Sequence, residues 1–155
     1  IPAYNFQVHT GLILSLVREI KKSRNEIVVM SNSSCFIAHS RNEIAREAIK
    51  QRMDYLLFWD ADIEVLKVGF SDQMISFSKK WNDAIICAPY LMKTQVDPGD
   101  TGLMLIPIKI LREFDEPYFQ MTAQTGNFMP EDWDFCFRAK EKGFKTIVDP
   151  SIANS

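Results

Sequence analysis

Three uninterrupted apolar segments most strongly constrain how this chain can fold. They are YLLFW (55–59), AIICAPY (84–90) and GLMLIPI (102–108). Strands that are apolar along their whole length are typical of a sheet that is covered on both faces. The segments EIVVMS (26–31) and KTIVDP (145–150) add two further predicted strands. Together with the helical patterns between them, these strands predict an α/β fold in a single domain, with a mostly parallel sheet flanked by helices.

Four helices are predicted from apolar periodicity and capping residues. The first starts at Thr10 and is predicted to bury the apolar positions Leu12, Ile13, Leu16, Val17 and Ile20. The second is predicted from Arg41 to Met53 with Ser40 as its cap, and the third over 71–80. Pro130 opens the fourth helix and Gly143 closes it.

Composition excludes several classes of protein. A length of 155 residues with 46% hydrophobic and 25% charged residues is ordinary for one globular domain. The net charge of −2 gives no indication of nucleic-acid binding, and no apolar run is long enough for a membrane span. The three cysteines are far apart in sequence, which predicts free thiols in a reducing, cytoplasmic setting. Because Ile1 and Pro2 stand where a start methionine is expected, the chain is interpreted as a fragment that lacks the start of its first strand and C-terminal elements.

Two aspartates, Asp60 and Asp62, directly follow the apolar strand 55–59. Like charges this close repel each other unless a positive group lies between them. Two carboxylates at a strand end suit Mg²⁺ or Mn²⁺, which would share its shell with the phosphates of a substrate. A solvated turn is the simpler alternative. A phosphatase of the haloacid-dehalogenase type is less favoured, because Glu64 stands where that family has Thr or Val.

Four segments, in order, resemble the catalytic domain of family 2 glycosyltransferases, which are inverting enzymes of the GT-A fold. They are IPAYN (1–5), RNEIAREAIKQRMDYLLFWDADI (41–63), VDPGDTGLMLI (96–106) and PEDWDFCFRAKEKGFKTIVDPSI (130–152). The resemblance implies a GT-A, Rossmann-like fold over residues 1–155. It also implies metal-dependent transfer of a sugar from a nucleotide-diphosphate sugar to an acceptor hydroxyl. A UDP-sugar is the favoured donor and a GDP-sugar the alternative, with Mn²⁺ or Mg²⁺ as cofactor and a glycan, lipid or protein as acceptor.

The resemblance also assigns roles to individual residues. Asp132, with its neighbour Glu131, corresponds to the general base that takes the proton of the acceptor hydroxyl. The positions matching the donor site are Pro2, Tyr4, Asn5, Arg41, Asp60, Ala61 and Asp62, of which Asp60 and Asp62 hold the metal. The positions matching the acceptor or sugar site are Thr101, Gly102 and Trp133.

Two departures from the family pattern leave parts of the site open. Many relatives have an acid after the second strand that recognises uracil, whereas this chain has Asn32 and Ser33 there. Many relatives also have a late His that completes the metal shell, and this sequence ends in DPSIANS without one. A non-catalytic domain that binds nucleotide sugars or acts as a scaffold therefore stays as the alternative function.

Overall fold

The computed structural model describes residues 1–3, 7–88, 102–124 and 127–153. Within these ranges, helices and strands alternate along most of the chain. The strands are β1 (Pro2–Ala3), β2 (Asn32–Ser33), β3 (Tyr55–Trp59), β4 (Ile85–Ala88), β5 (Leu103–Pro107), β6 (Thr122–Gln124), β7 (Asn127–Met129) and β8 (Thr146–Val148). The helices are α1 (Thr10–Lys22), α2 (Ile37–Lys50), α3 (Phe70–Lys80), α4 (Ile108–Leu111), α5 (Glu131–Glu141) and α6 (Pro150–Ala153).

The central sheet has four strands in the order β3-β5-β4-β8. Strand β5 is antiparallel to both of its neighbours, and β8 is parallel to β4. Consequently β3, β4 and β8 all point the same way, and their carboxyl ends meet at one edge of the sheet. A parallel pair, β1 with β2, and an antiparallel pair, β6 with β7, form two small additional sheets.

The predicted GT-A fold with a mostly parallel sheet is therefore wrong. Antiparallel pairing holds β5 against β3 over all five of its residues and against β4 over three. The prediction failed because a continuous apolar strand shows that both faces are covered and does not show its direction. A strand inserted between two helix-covered neighbours is buried on both faces whichever way it runs.

Helices cover both faces of the central sheet, and each face has its own apolar core. Along β3, Leu56 and Phe58 point into the core under α2, α4 and α5, whereas Trp59 points into the core under α1 and α3. This alternation follows from the period of two along a strand. The edge at which the carboxyl ends of β3, β4 and β8 meet is thus supported from both sides. None of the described helices is both long enough and apolar enough to cross a membrane.

Helix α1 buries a different face from the predicted one. Leu12 is buried, but Ile13, Val17 and Ile20 are about half exposed. The inward stripe consists instead of Gly11, Leu12, Ser15 and Glu19. Ser15 accepts from the Val65 N–H in the segment between β3 and α3, and Glu19 accepts from Gly69 and Ser71 at the start of α3. Hydrogen bonding rather than apolar periodicity therefore decides which face packs.

The predicted strand over 26–31 is also absent, since only Asn32 and Ser33 pair with β1. Val28 and Val29 in that segment are nearly half exposed. Without a neighbouring strand to receive its backbone hydrogen bonds, an apolar run does not become a strand.

The buried carboxylate of Glu19 links α1 to the start of α3, and this link gives a testable prediction. It accepts hydrogen bonds from the backbone N–H of Gly69 at 2.7 Å, and from the N–H and hydroxyl of Ser71 at 3.0 and 2.5 Å. Glu19→Ala leaves these donors without an acceptor, and we expect it to lower the free energy of unfolding by about 2–3 kcal/mol. Urea denaturation measures this loss, and Glu26→Ala, at an exposed position, is the control. Equal stabilities of the two variants would contradict the role given to Glu19.

Candidate functional site

The turn that follows β3 carries the aspartate pair to the carboxyl edge of the sheet. The Asp60 N–H donates to the Gly102 carbonyl at 3.0 Å, and the Ile63 N–H donates back to the Asp60 carbonyl at 3.1 Å. The His9 N–H, just before α1, donates to the Ala61 carbonyl at 2.9 Å. Asp60 is partly buried and Asp62 is exposed. The turn is thus fixed by its backbone, and its two carboxylates differ in their access to solvent.

The guanidinium of Arg41 lies among carboxylates from two distant parts of the chain. Its Nη2 donates to Asp60 Oδ1 at 3.2 Å. Its Nη1 lies 2.9 Å from Glu131 Oε1 and 3.7 Å from Asp132 Oδ2. Arg41 is only 2% exposed, and its guanidinium also lies over the ring of Phe58. The positive group next to the aspartate pair is therefore a buried arginine side chain, and it joins this pair to Glu131 and Asp132.

Side-chain hydrogen bonds hold helix α2 in the position that places Arg41. The amide of Asn42 donates to the Phe119 carbonyl at 2.7 Å, and its Oδ1 accepts from the Phe119 N–H at 2.9 Å. This pair of bonds ties α2 to the chain segment that leads towards the β6–β7 hairpin.

A second set of contacts holds α5, which carries Glu131 and Asp132. Asp134 accepts from the Thr122 hydroxyl at 2.5 Å and pairs with Arg138 at 2.6 Å. Arg138 also donates to the Tyr118 carbonyl. Asp134 is thus turned away from Arg41 and stabilises the helix, whereas Glu131 and Asp132 meet Arg41.

The cluster has an excess of negative charge, because one guanidinium faces three carboxylates. Burial raises the pKa of Asp60 to about 6; Asp62 and Asp132 add to the rise, while Arg41 opposes it. Burial disfavours the charged form of Arg41, but the surrounding carboxylates outweigh this effect, so its pKa is raised. An excess of negative charge of this kind favours a nearby cation.

The predicted site residues are only partly brought together. Arg41, Asp60, Glu131 and Asp132 form one cluster, which we call the Arg41 cluster, and Asp62 lies on the same turn. Trp133, adjacent to Asp132, is 45% exposed. Pro2 is buried in β1, and the backbone of Gly102 contacts Asp60. Tyr4, Asn5 and Thr101 lie outside the described residues.

The carboxylate oxygens of Asp60 and Asp62 at the turn are ligands of the type that suits a small, hard divalent cation. Mg²⁺ in proteins commonly uses one or two carboxylates and takes its other ligands from water and substrate phosphates. Across the described ranges, no three His, Cys, Asp or Glu side chains are grouped as a complete metal site. Among the described residues, the buried Nε of Arg41, Oγ of Ser40 and Oδ1 of Asn32 have no hydrogen-bond partner, whereas Nη1 of Arg41 is paired with Glu131. Such buried polar atoms are expected where a ligand or water completes the site.

A cavity of about 760 Å³ adjoins the Arg41 cluster, and Asp132 lines both. Its floor includes Cys87 of β4 and Met104 of β5, and its walls come from α5 and β8. The Cys87 thiol hydrogen-bonds to Cys136, which lowers the pKa of Cys136 and raises that of Cys87. Most of the other lining side chains are apolar or aromatic.

Sequence reasoning missed two features of this region. It assigned Arg41 to the donor but did not predict its contacts with Asp60, Glu131 and Asp132. It also missed the cavity, whose only sequence signal is the pair of aromatic residues Trp133 and Phe137, one helical turn apart on the outward face of α5.

The raised pKa of Asp60 predicts a pH dependence of stability. Folded Asp60 keeps its proton up to about pH 6, whereas its ordinary pKa is 3.8. The folded state therefore binds more protons between these values, and the contribution of Asp60 to the free energy of unfolding falls as the pH rises from about 4 to about 6. Relative to Asp60→Asn, the wild-type protein should lose on the order of 2 kcal/mol over this range.

Denaturation of the metal-free protein at a series of pH values measures this difference. Asp115→Asn, at an exposed position outside the cluster, should leave the wild-type profile unchanged. Parallel profiles for the wild type and Asp60→Asn would contradict the burial of this carboxyl group.

Comparison with known proteins gives a likeness in fold. No protein-family model matches the chain. No curated protein matches it either. The chain is similar to the crystal structure of A197 from STIV, with a TM-score of 0.67 and 19% sequence identity; the likeness covers 97% of this chain and 79% of that one. At this identity the likeness shows that the two proteins share a fold.

Proposed function

We propose that this protein transfers a sugar from a nucleotide-diphosphate sugar to an acceptor hydroxyl, with a divalent cation as cofactor. The observation that carries the proposal is the Arg41 cluster, in which the carboxylates of Asp60, Glu131 and Asp132 surround one guanidinium. The sequence resemblance to family 2 glycosyltransferases assigns the donor and the base to these same positions. These positions lie close together in the structure, which supports the assignment. The transfer needs the donor-binding carboxylates and the base for the acceptor hydroxyl around the same anomeric carbon.

The donor side of the site is built around Asp60 and Asp62. A nucleotide diphosphate is repelled by these carboxylates, so it needs a cation between itself and the protein. Mg²⁺ or Mn²⁺ held by Asp60 and Asp62 supplies charge stabilisation to the diphosphate. Arg41 fixes the direction of the Asp60 carboxylate through its hydrogen bond.

The transfer itself is a displacement at the anomeric carbon. The acceptor oxygen forms a bond to this carbon while the bond to the diphosphate oxygen breaks, and the nucleotide diphosphate leaves with the electron pair. The hydroxyl proton passes to the carboxylate of Asp132. If the acceptor approaches from the side opposite the leaving group, the configuration at the anomeric carbon is inverted.

The position of Asp132 suits the role of proton acceptor. It lies in the first turn of α5, where exposed backbone N–H groups stabilise negative charge. Its Oδ2 is 3.7 Å from Arg41 Nη1, and the same residue lines the cavity. A carboxylate is far less basic than an alkoxide, so the proton should move late, after departure of the diphosphate has made the hydroxyl more acidic.

The cation requirement gives the first test of this proposal. UDP should bind in the presence of Mn²⁺ and bind at least about tenfold more weakly after chelation, since the diphosphate then faces Asp60 and Asp62 directly. Asp62→Ala should remove this Mn²⁺ dependence without unfolding the protein, because Asp62 is exposed. Isothermal titration calorimetry measures both effects, with Asp115→Ala as the control. Equal UDP affinity with and without chelator would contradict the proposed donor site.

The role of Asp132 gives the second test. Asp132→Asn keeps the size of the side chain but cannot accept the proton, and loss of a general base typically lowers the rate by about 10² to 10⁴-fold. UDP affinity with Mn²⁺ should change little, since Asp60 and Asp62 are intact. Asp134→Asn is the matched control on the same helix turn, because Asp134 faces Thr122 and Arg138.

Single-turnover transfer rates, expressed per folded enzyme, compare the two variants. An equal loss in Asp134→Asn, or a nearly wild-type rate in Asp132→Asn, would contradict the assignment of the base. UDP binding with no transfer in the wild-type protein would favour a domain that binds nucleotide sugars without catalysis.

A further inference from the structure

The cavity beside Asp132 has an apolar middle and charged residues towards its two ends. Asp132 lies in the first turn of α5, and Lys140 lies in its last turn. Between them, Trp133 and Phe137 line the cavity and are 45% and 50% exposed. Lys140 lies eight positions after Asp132 in α5, which corresponds to about 12 Å along the helix axis at 1.5 Å per residue.

A second lysine lies at the same end of the cavity as Lys140. After the turn at Gly143, whose φ is +88°, the chain returns to α5, where Thr146 of β8 hydrogen-bonds to Cys136. Lys145, just before β8, therefore lies near the C-terminal end of α5, and it too lines the cavity. Its Nζ lies over the ring of Trp81 at 5.9 Å. One end of the cavity thus carries a carboxylate and the other end carries two ammonium groups.

This arrangement selects among acceptors. A free glycan needs hydrogen-bonding partners along its whole length, whereas the middle of this cavity offers mainly aromatic and aliphatic surface. The two lysines match an anionic group, in a protein whose net charge is −2. An apolar chain that carries a hydroxyl at one end and an anion at the other satisfies all three parts of the cavity.

We infer that the cavity binds an elongated apolar acceptor that places its reactive hydroxyl at Asp132 and an anionic group, about 12 Å away, between Lys140 and Lys145. An ω-hydroxy carboxylate with a medium-length alkyl chain has this chemistry. The inference rests on the proposed function, because it assigns this ligand as the acceptor of the proposed transfer.

Cys136 provides a way to measure occupancy of the cavity without any reaction. It lines the cavity and is partly accessible, and the hydrogen bond from Cys87 lowers its pKa, which favours alkylation. Cys35 is exposed and belongs to the segment before α2, so it serves as an internal control. The intact protein is labelled with iodoacetamide, and the rates at the two positions are followed by mass spectrometry of its peptides after digestion.

The probe is ω-hydroxydecanoate, and three related compounds isolate its parts. We expect ω-hydroxydecanoate to slow labelling of Cys136 and to leave Cys35 unchanged. Decanediol, which lacks the anion, should need about a tenfold higher concentration for the same protection. The short ω-hydroxybutanoate should not protect. Decanoate should protect but should accept no sugar from a UDP-sugar, since it lacks the hydroxyl.

Variants test the two halves of the cavity separately. The double variant Lys140→Gln, Lys145→Gln should remove the difference between ω-hydroxydecanoate and decanediol. Phe137→Ser should weaken the protection of Cys136 by both compounds. Phe128→Ser is the control, because Phe128 is 71% exposed on the β6–β7 hairpin and does not line the cavity. Equal protection of Cys136 by ω-hydroxydecanoate and decanediol in the wild-type protein would overturn the inference. Equal slowing of the labelling of Cys35 would overturn it as well.

UDP titration on the same samples separates this inference from the proposed function. Mn²⁺-dependent UDP binding without protection of Cys136 would overturn the assigned acceptor and leave the donor site intact. Protection without Mn²⁺-dependent UDP binding would overturn both the proposed transfer and the role of this ligand as acceptor.

Discussion

The contact of the Arg41 guanidinium with three carboxylates is the interaction on which the site depends. A guanidinium that is 2% exposed has lost nearly all its water, at a cost of several kcal/mol that only close negative charge can offset. Asp60 supplies that charge from the turn after β3, and Glu131 and Asp132 supply it from the first turn of α5. Removing either source leaves a buried cation underpaired, so the turn after β3 and α5 are energetically coupled through one side chain.

The cluster requires that α2 and α5 be placed accurately by contacts outside it. Asn42 follows Arg41 directly and fixes α2 through two hydrogen bonds with the backbone of Phe119. Asp134 lies two residues after Asp132 and fixes α5 through Thr122 and Arg138. In both helices, the residue that meets the site and the residue that anchors the helix are near neighbours in sequence and point in different directions. Truncation of an anchor is therefore expected to move a site residue, whereas Asp134→Asn keeps the size of the side chain and an oxygen that can accept from Thr122.

The sequence predicted local features well and pairing poorly. The apolar run 55–59, the helix after Pro130 and the strand end that carries Asp60 can all be recognised from neighbouring residues. The direction of β5 cannot, because its apolar residues fit either orientation between β3 and β4. Likewise, Val28 and Val29 have strand propensity but no partner strand. The Arg41 cluster joins residues far apart in sequence, and no local pattern shows that Arg41 turns inward.

Asp132 connects the two halves of the proposed chemistry, because it belongs to the Arg41 cluster and also lines the cavity. A carboxylate is far less basic than an alkoxide, which makes proton transfer from an intact hydroxyl unfavourable. The proton becomes available only when the acceptor oxygen has begun to bond to the anomeric carbon. In the proposed transfer, deprotonation is therefore tied to departure of the diphosphate, and an acceptor that occupies the cavity without a donor would remain protonated and unreactive.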